Sequence, residues 1–243
     1  MPYWLNPGYY RYGLNKGMSG TDVAALQINL VGLTIDGKFG NKTFTAVKDW
    51  QDSRGLAPVD GIVGPKTFQS ICVEKATPAA RKYNLPVGMA KSIMFGESNF
   101  IVGASGPHPS DAGYDIGAFE LSSGPNPPSQ DFMYASYDVA QAAEFACNHL
   151  RYMKDHMPEP IDSSYLTFLA NNDKELFKWQ MAVLSHNWPQ ASYYIPKYGH
   201  IFTDPARDDE TQQWIVTASG GTMATPRQWV TNYVQKNTLY VKF

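Results

Sequence analysis

No stretch of this chain stays apolar for the ~20 residues that a membrane-spanning helix needs, so membrane insertion is not expected. An excess of charge of one sign is missing too: 20 Lys+Arg stand against 22 Asp+Glu in 243 residues. The first 75 residues carry eight basic against six acidic side chains, and the remainder twelve against sixteen. Neither part has the basic footprint of a nucleic-acid binder, and no nucleic-acid partner is expected. Cysteine is almost absent. Cys72 and Cys147 lie in apolar surroundings, "FQSICV" and "AAEFACNHL", where a free thiol behaves as a small hydrophobe, so two unpaired cysteines are expected. The opening "MPYWLNPGYYRYG" has no basic segment leading into an apolar one, which points to a cytoplasmic, soluble product. Strand-like alternation is scarce as well, mainly near "YDIGAFEL". What is abundant is amphipathic helix, and the fold class expected is mainly α.

A duplication organises the N-terminal part. "DGKFGNKTF" at 36–44 returns as "DGIVGPKTF" at 60–68. Asp-Gly favours a tight turn, and a helix start follows each copy, with Asn41 as an N-cap and Pro65 at the first helical position. The first of these helices carries Phe44, Val47, Trp50 and Gln51 along one face. An earlier helix, "SGTDVAALQINL", turns Val23, Leu26 and Leu30 inward. Near "VEKATPAARKYN" (73–84) the pattern loosens, which sets the expected domains at 1–75 and 76–243. In the second, "DVAQAAEFACNHLRYM" aligns Val139, Ala142, Ala143, Ala146, Leu150 and Met153 on one helical stripe.

The segment 14–71, with Asp-Val-x-x-Leu-Gln, both Asp-Gly turns and Gln51…Gly55-Leu56, resembles the peptidoglycan-binding domain of cell-wall hydrolases. The resemblance implies a three-helix bundle and bacterial peptidoglycan as the partner.

"LPVGMAKSIMFGESNF" raises a separate question. Ala90, Ile93, Met94 and Glu97 recur at i, i+3, i+4 and i+7, which sets a carboxylate on an apolar helix face. Burial there favours its protonated form, the state a general acid needs near neutral pH. A Gly/Pro/Ser-rich loop and "YDIGAFELSSG" follow. "FGESNF" with "YDIGAFELSS" resembles the active-site segment of c-type lysozymes and of the soluble lytic transglycosylases that share their core. The resemblance implies an α+β lysozyme-like domain with a small β-hairpin. It implies Glu97 as general acid and Asp115 as second carboxylate, with Gly117 and Ser123 at family positions. Ser98, Tyr114, Glu120 and Ser122 join the expected substrate-binding residues; Glu120 stands where the family has Gln, and Ser122 where it has Asn. "AVLSHNWPQA" resembles the transglycosylase Tyr-Asn-Ala-Gly segment and adds Asn187 and Trp188, while "TPRQWVTNYV" resembles a later helix with Trp229 in a Tyr position.

The reading that results is a peptidoglycan muramidase of the phage-endolysin kind. It is expected to be monomeric and cofactor-free, held in the host cytoplasm until lysis and acting afterwards at the cell wall. The alternatives are a lytic transglycosylase using Glu97 alone, a non-catalytic wall-binding protein, and a zinc D,D-peptidase built on His108 and Asp115. Asp111 reads as a turn residue, and Trp179, Tyr193, Tyr194 and Tyr198 as core or sugar-stacking aromatics.

Overall fold

The computed structural model describes residues 12–107, 113–124, 128–157 and 173–187, with 232–234, 236–237 and 239–241 near the C-terminus. The described residues are mainly helical with one small antiparallel sheet, as the patterning predicts. The helices are α1 (Thr21–Asn29), α2 (Asn41–Ser53), α3 (Pro65–Lys82), α4 (Met89–Ser98), α5 (Gln130–Tyr137), α6 (Val139–Asp155) and α7 (Lys174–Asn187). The strands are β1 (Ser105–Pro107), β2 (Tyr114–Ile116) and β3 (Leu121–Ser122), in the order β1-β2-β3. Among the described residues no helix is long and apolar enough to cross a membrane. Two compact units divide the chain, residues 1–81 with 97–145 and residues 82–96 with 146–243.

In the first unit α1 is buried nearly all round; Val23, Ala24, Ala25 and Leu26 are fully enclosed. Along α2 the inward face is Thr43, Val47, Trp50 and Gln51, with Phe44 half-buried. Asn41 is not the N-cap. Gly40 holds that position without a side-chain bond, and Asn41 begins the helix itself. Pro65 does open α3. The loosening expected at 73–84 is absent: α3 runs unbroken for 18 residues with Pro78 inside it. Cys72, Ala76 and Ala79 are buried at helical spacing, and their packing outweighs the ~3 kcal/mol that an interior proline costs. The expected 75/76 division therefore falls inside a continuous helix.

The sheet of the same unit pairs Ser105 with Ile116 and Gly106 with Asp115 on one side of β2, and Asp115 with Ser122 on the other. Asp115 sits in the middle strand rather than in a turn. The β2–β3 turn, 117–120, opens with Gly117 at φ 83° and closes with Glu120 at φ 47°. Ser129 caps α5 by accepting from the Phe132 N–H at 3.1 Å, and Asp138 caps α6 through the Ala140 N–H at 3.0 Å.

In the second unit the stripe along α6 is buried through Ala146 and Leu150, with Met153 half-buried. Lys154 on α6 pairs with Glu175 on α7 at 2.8 Å and lies 5.7 Å from the Trp179 ring. Trp179 is buried and belongs to the core. The C-terminal residues run along the first part of α4: the Tyr240 N–H donates to Ser92 Oγ at 2.8 Å, and the Tyr240 ring meets Phe95 edge-on at 5.5 Å. Both cysteines are free and buried, as expected.

Candidate functional site

The duplication in the sequence is a duplication of hydrogen bonds. Gln27 Nε2 donates to Asp36 Oδ1 (2.9 Å), the Lys38 carbonyl (3.1 Å) and Thr43 Oγ1 (3.1 Å). Its Oε1 accepts from the N–H groups of Asp36 and Gly37 at 3.1 and 2.8 Å. Gln51 repeats this on the second turn, donating to Asp60 (3.2 Å), the Ile62 carbonyl (2.9 Å) and Thr67 (3.2 Å) and accepting from Gly61 N–H at 2.8 Å. Each glutamine fastens an Asp-Gly turn to the threonine in the first turn of the following helix, and both are buried. The Gln27 hydrogen bond, then the Lys38 backbone, holds the Asp36 carboxyl below the usual carboxylate range. Arg54 lies over the Trp50 ring at 3.5 Å and forks onto both Glu74 oxygens at 2.6 and 2.5 Å. That hydrogen bonding lowers the pKa of Glu74.

Glu97 stands one residue before the end of α4. Ala90, Ile93 and Met94 on its stripe are buried and Glu97 itself is half-buried, so the carboxylate lies at the margin of the apolar face. The helix stops in two consecutive left-handed residues, Asn99 (φ 52°) and Phe100 (φ 66°). For a bulky residue this conformation is strained by on the order of 1 kcal/mol or more. One group from the segment before α1 and one from α3 hold it. The Tyr12 hydroxyl donates to the Asn99 carbonyl at 3.1 Å, and Cys72 Sγ to the Phe100 carbonyl at 3.2 Å. Burial pushes the Cys72 thiol pKa far up, so this thiol is a proton donor and not a nucleophile.

Ser98 Oγ donates to the Ala118 carbonyl at 2.9 Å, and the Gly117 N–H donates to the Ala104 carbonyl at 2.8 Å. The first bond fixes the helix end that bears Glu97 on the turn following Asp115, and the second ties that turn to the residue before β1. Ser98 is only 2% exposed, so its place is in this framework and not at a ligand-facing surface. Asp115 and Tyr114 are half-exposed on β2. Ser122, exposed, is the cross-strand partner of Asp115 and accepts from the Gly124 N–H at 3.3 Å. Ser123 closes the hairpin, its Oγ accepting from the Tyr114 N–H at 2.9 Å. Glu120 is half-exposed at the last turn position. Tyr114, Asp115, Glu120 and Ser122 lie on one hairpin, whose turn is attached to the end of α4 through Ser98. The Asn187 side chain, Trp188, Trp229, His108, Asp111, Tyr193, Tyr194 and Tyr198 lie outside the described residues.

Elsewhere, in the second unit, burial and the nearby His186 lower the pKa of His149. Among the described residues no group of three or more His, Cys, Asp or Glu side chains is arranged to hold a metal ion. Sequence reasoning missed the buried Asn29, which carries no local signature. It reached Gln27 and Gln51 only as part of a motif, although their shared offset from the two turns was visible.

Residues 19–71 match the family model of a putative peptidoglycan binding domain. A mainly helical protein carrying a peptidoglycan-binding module is the class that the fold and this match define. The chain is 46% identical over 65 residues to the zinc D-Ala-D-Ala carboxypeptidase of Streptomyces albus G, covering 24% of this chain and 25% of that one. It is 43% identical over 68 residues to the spore cortex-lytic enzyme of Bacillus subtilis strain 168, covering 26% and 22%. With the N-acetylmuramoyl-L-alanine amidase CwlL of Bacillus licheniformis the identity is 39% over 92 residues, covering 32% and 25%. The chain spans about a quarter of the length of these relatives. They carry three different names for cell-wall enzymes, and what they share with this chain is the binding module.

Proposed function

We propose that this protein is a peptidoglycan muramidase, cleaving the β-1,4 bond between N-acetylmuramic acid and N-acetylglucosamine. The observation that carries the reading is the Ser98–Ala118 hydrogen bond. It joins the helix end bearing Glu97 to the turn after Asp115, in the same unit as the peptidoglycan-binding module. Glu97, at the edge of a buried apolar stripe, gives its proton to the glycosidic oxygen as the bond to the anomeric carbon breaks. Asp115, half-exposed on the middle strand, is the ionised carboxylate that faces the oxocarbenium-like charge. Water then adds its oxygen to the anomeric carbon and returns a proton to Glu97. Residues 1–75 supply wall affinity, and residues 76–243 carry the catalytic carboxylates. The setting is that of an endolysin held in the host cytoplasm until membrane lesions admit it to the wall; lysis of expressing cells only after membrane permeabilisation is the expected sign.

The test is digestion of purified peptidoglycan, with products weighed by mass spectrometry. Intact protein should release fragments with new reducing ends. Glu97→Gln should keep its far-UV circular dichroism and lose about 10²–10⁴-fold in rate. Fragments ending in 1,6-anhydro sugars would make the enzyme a lytic transglycosylase. Cleavage confined to the peptide stems, or near-normal activity of a folded Glu97→Gln protein, would overturn the assignment.

A further inference from the structure

We propose that the peptidoglycan-binding module is a working part of the catalytic half, and that Asn29 is the positioning residue through which it sets the hairpin bearing Asp115. The proposal rests on the muramidase reading for its catalytic terms. Its structural core stands apart from the bond that is cut.

Asn29, the last residue of α1, is 1% exposed. Its Nδ2 donates to the Ala25 carbonyl at 2.8 Å within α1 and to the Tyr137 carbonyl at 2.7 Å. Its Oδ1 accepts from the Val139 N–H at 3.0 Å. One side chain therefore clamps the junction where α5 ends and α6 begins, more than a hundred residues away in sequence. A helix C-terminus leaves carbonyls without partners and an N-terminus leaves N–H groups, and Asn29 supplies one of each.

The clamp reaches the hairpin directly. A Cβ at Gly117 would run into the Ser136 carbonyl oxygen, so the first residue of the β2–β3 turn rests on the backbone next to the Tyr137 carbonyl. Gly103, between α4 and β1, lies so close to α1 that an added Cβ would sit 2.8 Å from Asp22 Cα. With Tyr12 and Cys72 holding the two left-handed residues after Glu97, module residues secure both carboxylate-bearing elements. A module on a loose tether raises local concentration and nothing more. Here the Asn29 contacts are buried and short, at 2.7 to 3.0 Å. Positioning errors near 1 Å cost about 10²-fold in rate, which is the scale at which such a clamp acts.

The experiment uses the full chain with Asn29→Ala and the near-isosteric Asn29→Asp. Three readouts are taken: sedimentation with purified peptidoglycan, kcat and KM for release of soluble wall fragments, and hydrogen exchange by mass spectrometry. Asn29→Ala should bind sacculi normally, because Gln27 and Gln51 are untouched, and should lose about tenfold or more in kcat at nearly constant KM. Exchange should quicken at 114–122 and 136–142 and stay slow at 36–43 and 60–67. Asn29→Asp keeps the acceptor for Val139 N–H at a helix N-terminus, where a carboxylate is favoured, and should recover part of both effects. Unchanged kcat and exchange, parallel loss of binding and kcat, or faster exchange across the whole chain would each overturn the proposal. An Asn29→Ala protein that does not fold passes the decision to Asn29→Asp, read by the same criteria. The exchange pattern decides the clamp even if the product masses assign another bond, so the two claims fail separately.

Discussion

The Asp-Gly turns of the binding module and the 117–120 turn of the hairpin meet the same backbone demand by opposite means. All three need a left-handed glycine: Gly37 at φ 67°, Gly61 at 74° and Gly117 at 83°. In the module each turn is held by a glutamine nine or ten residues upstream. The hairpin turn is held by Ser98, 20 residues back, and by the backbone of Ser136 beyond the sheet. A locally held turn can be copied along a chain, and this one was. A turn held by its surroundings works only inside the fold that supplies them.

Gly117→Val should give the largest effect. It places a β-branched side chain at positive φ against a backbone carbonyl that cannot move aside. A loss above about 4 kcal/mol is expected, measured by urea unfolding. A cost under ~1 kcal/mol would mean that the hairpin does not rest on α5, and the contrast with the module turns would collapse.

Gln27→Ala and Gln51→Ala come next. Each leaves a buried glycine N–H and a buried threonine hydroxyl without their glutamine partner, at roughly 2–3 kcal/mol. Gln27 accepts one hydrogen bond more than Gln51, so its loss should cost slightly more. Similar urea midpoints for the two variants would sharpen the picture of equivalent staples. A gap beyond ~2 kcal/mol would break it.

The smallest effect at neutral pH belongs to Tyr137, fully buried at the end of α5. Burial pushes its pKa up to about 12, with the neighbouring Ser105 side chain pulling it back and the Asp22 carboxylate raising it. The folded chain holds this proton more tightly than the unfolded one. The contribution is therefore fully present below pH ~10 and is lost as pH rises toward 12. Tyr137→Phe should shift stability at pH 7 by less than about 1 kcal/mol and flatten this alkaline loss, as thermal unfolding between pH 8 and 12 would show. An unaltered alkaline limb would mean that Tyr137 does not report on the packing beneath the sheet.

Legibility in the sequence follows the same division. The module's turns, helices and inward faces were readable, because the residues that hold them lie within one helix and one turn. The stripe of α6 and the apolar face of α4 were readable for the same reason. What the sequence did not reveal is held by distant partners. Asn29 looks like an ordinary polar helix end, and nothing near it names Tyr137 or Val139. Ser98 looked like a ligand residue because it follows Glu97, yet its hydroxyl is committed to Ala118. The loosening at 73–84 misled because local propensity counts Pro78 and cannot count the buried Cys72, Ala76 and Ala79.

The unbroken α3 bears on how such a gene can recombine. The matched stretch recurs in proteins that carry three different cell-wall enzyme names, as a cassette exchanged between genes would. A crossover at residues 75/76 would join two halves of one helix from different parents. It would also replace Tyr12, Asn29 and Cys72 together, stripping the partners from Asn99, Phe100, Tyr137 and Val139. Exchange at that point is closed to this protein unless the incoming cassette brings the same three donors, so its module and its hairpin are inherited as one piece.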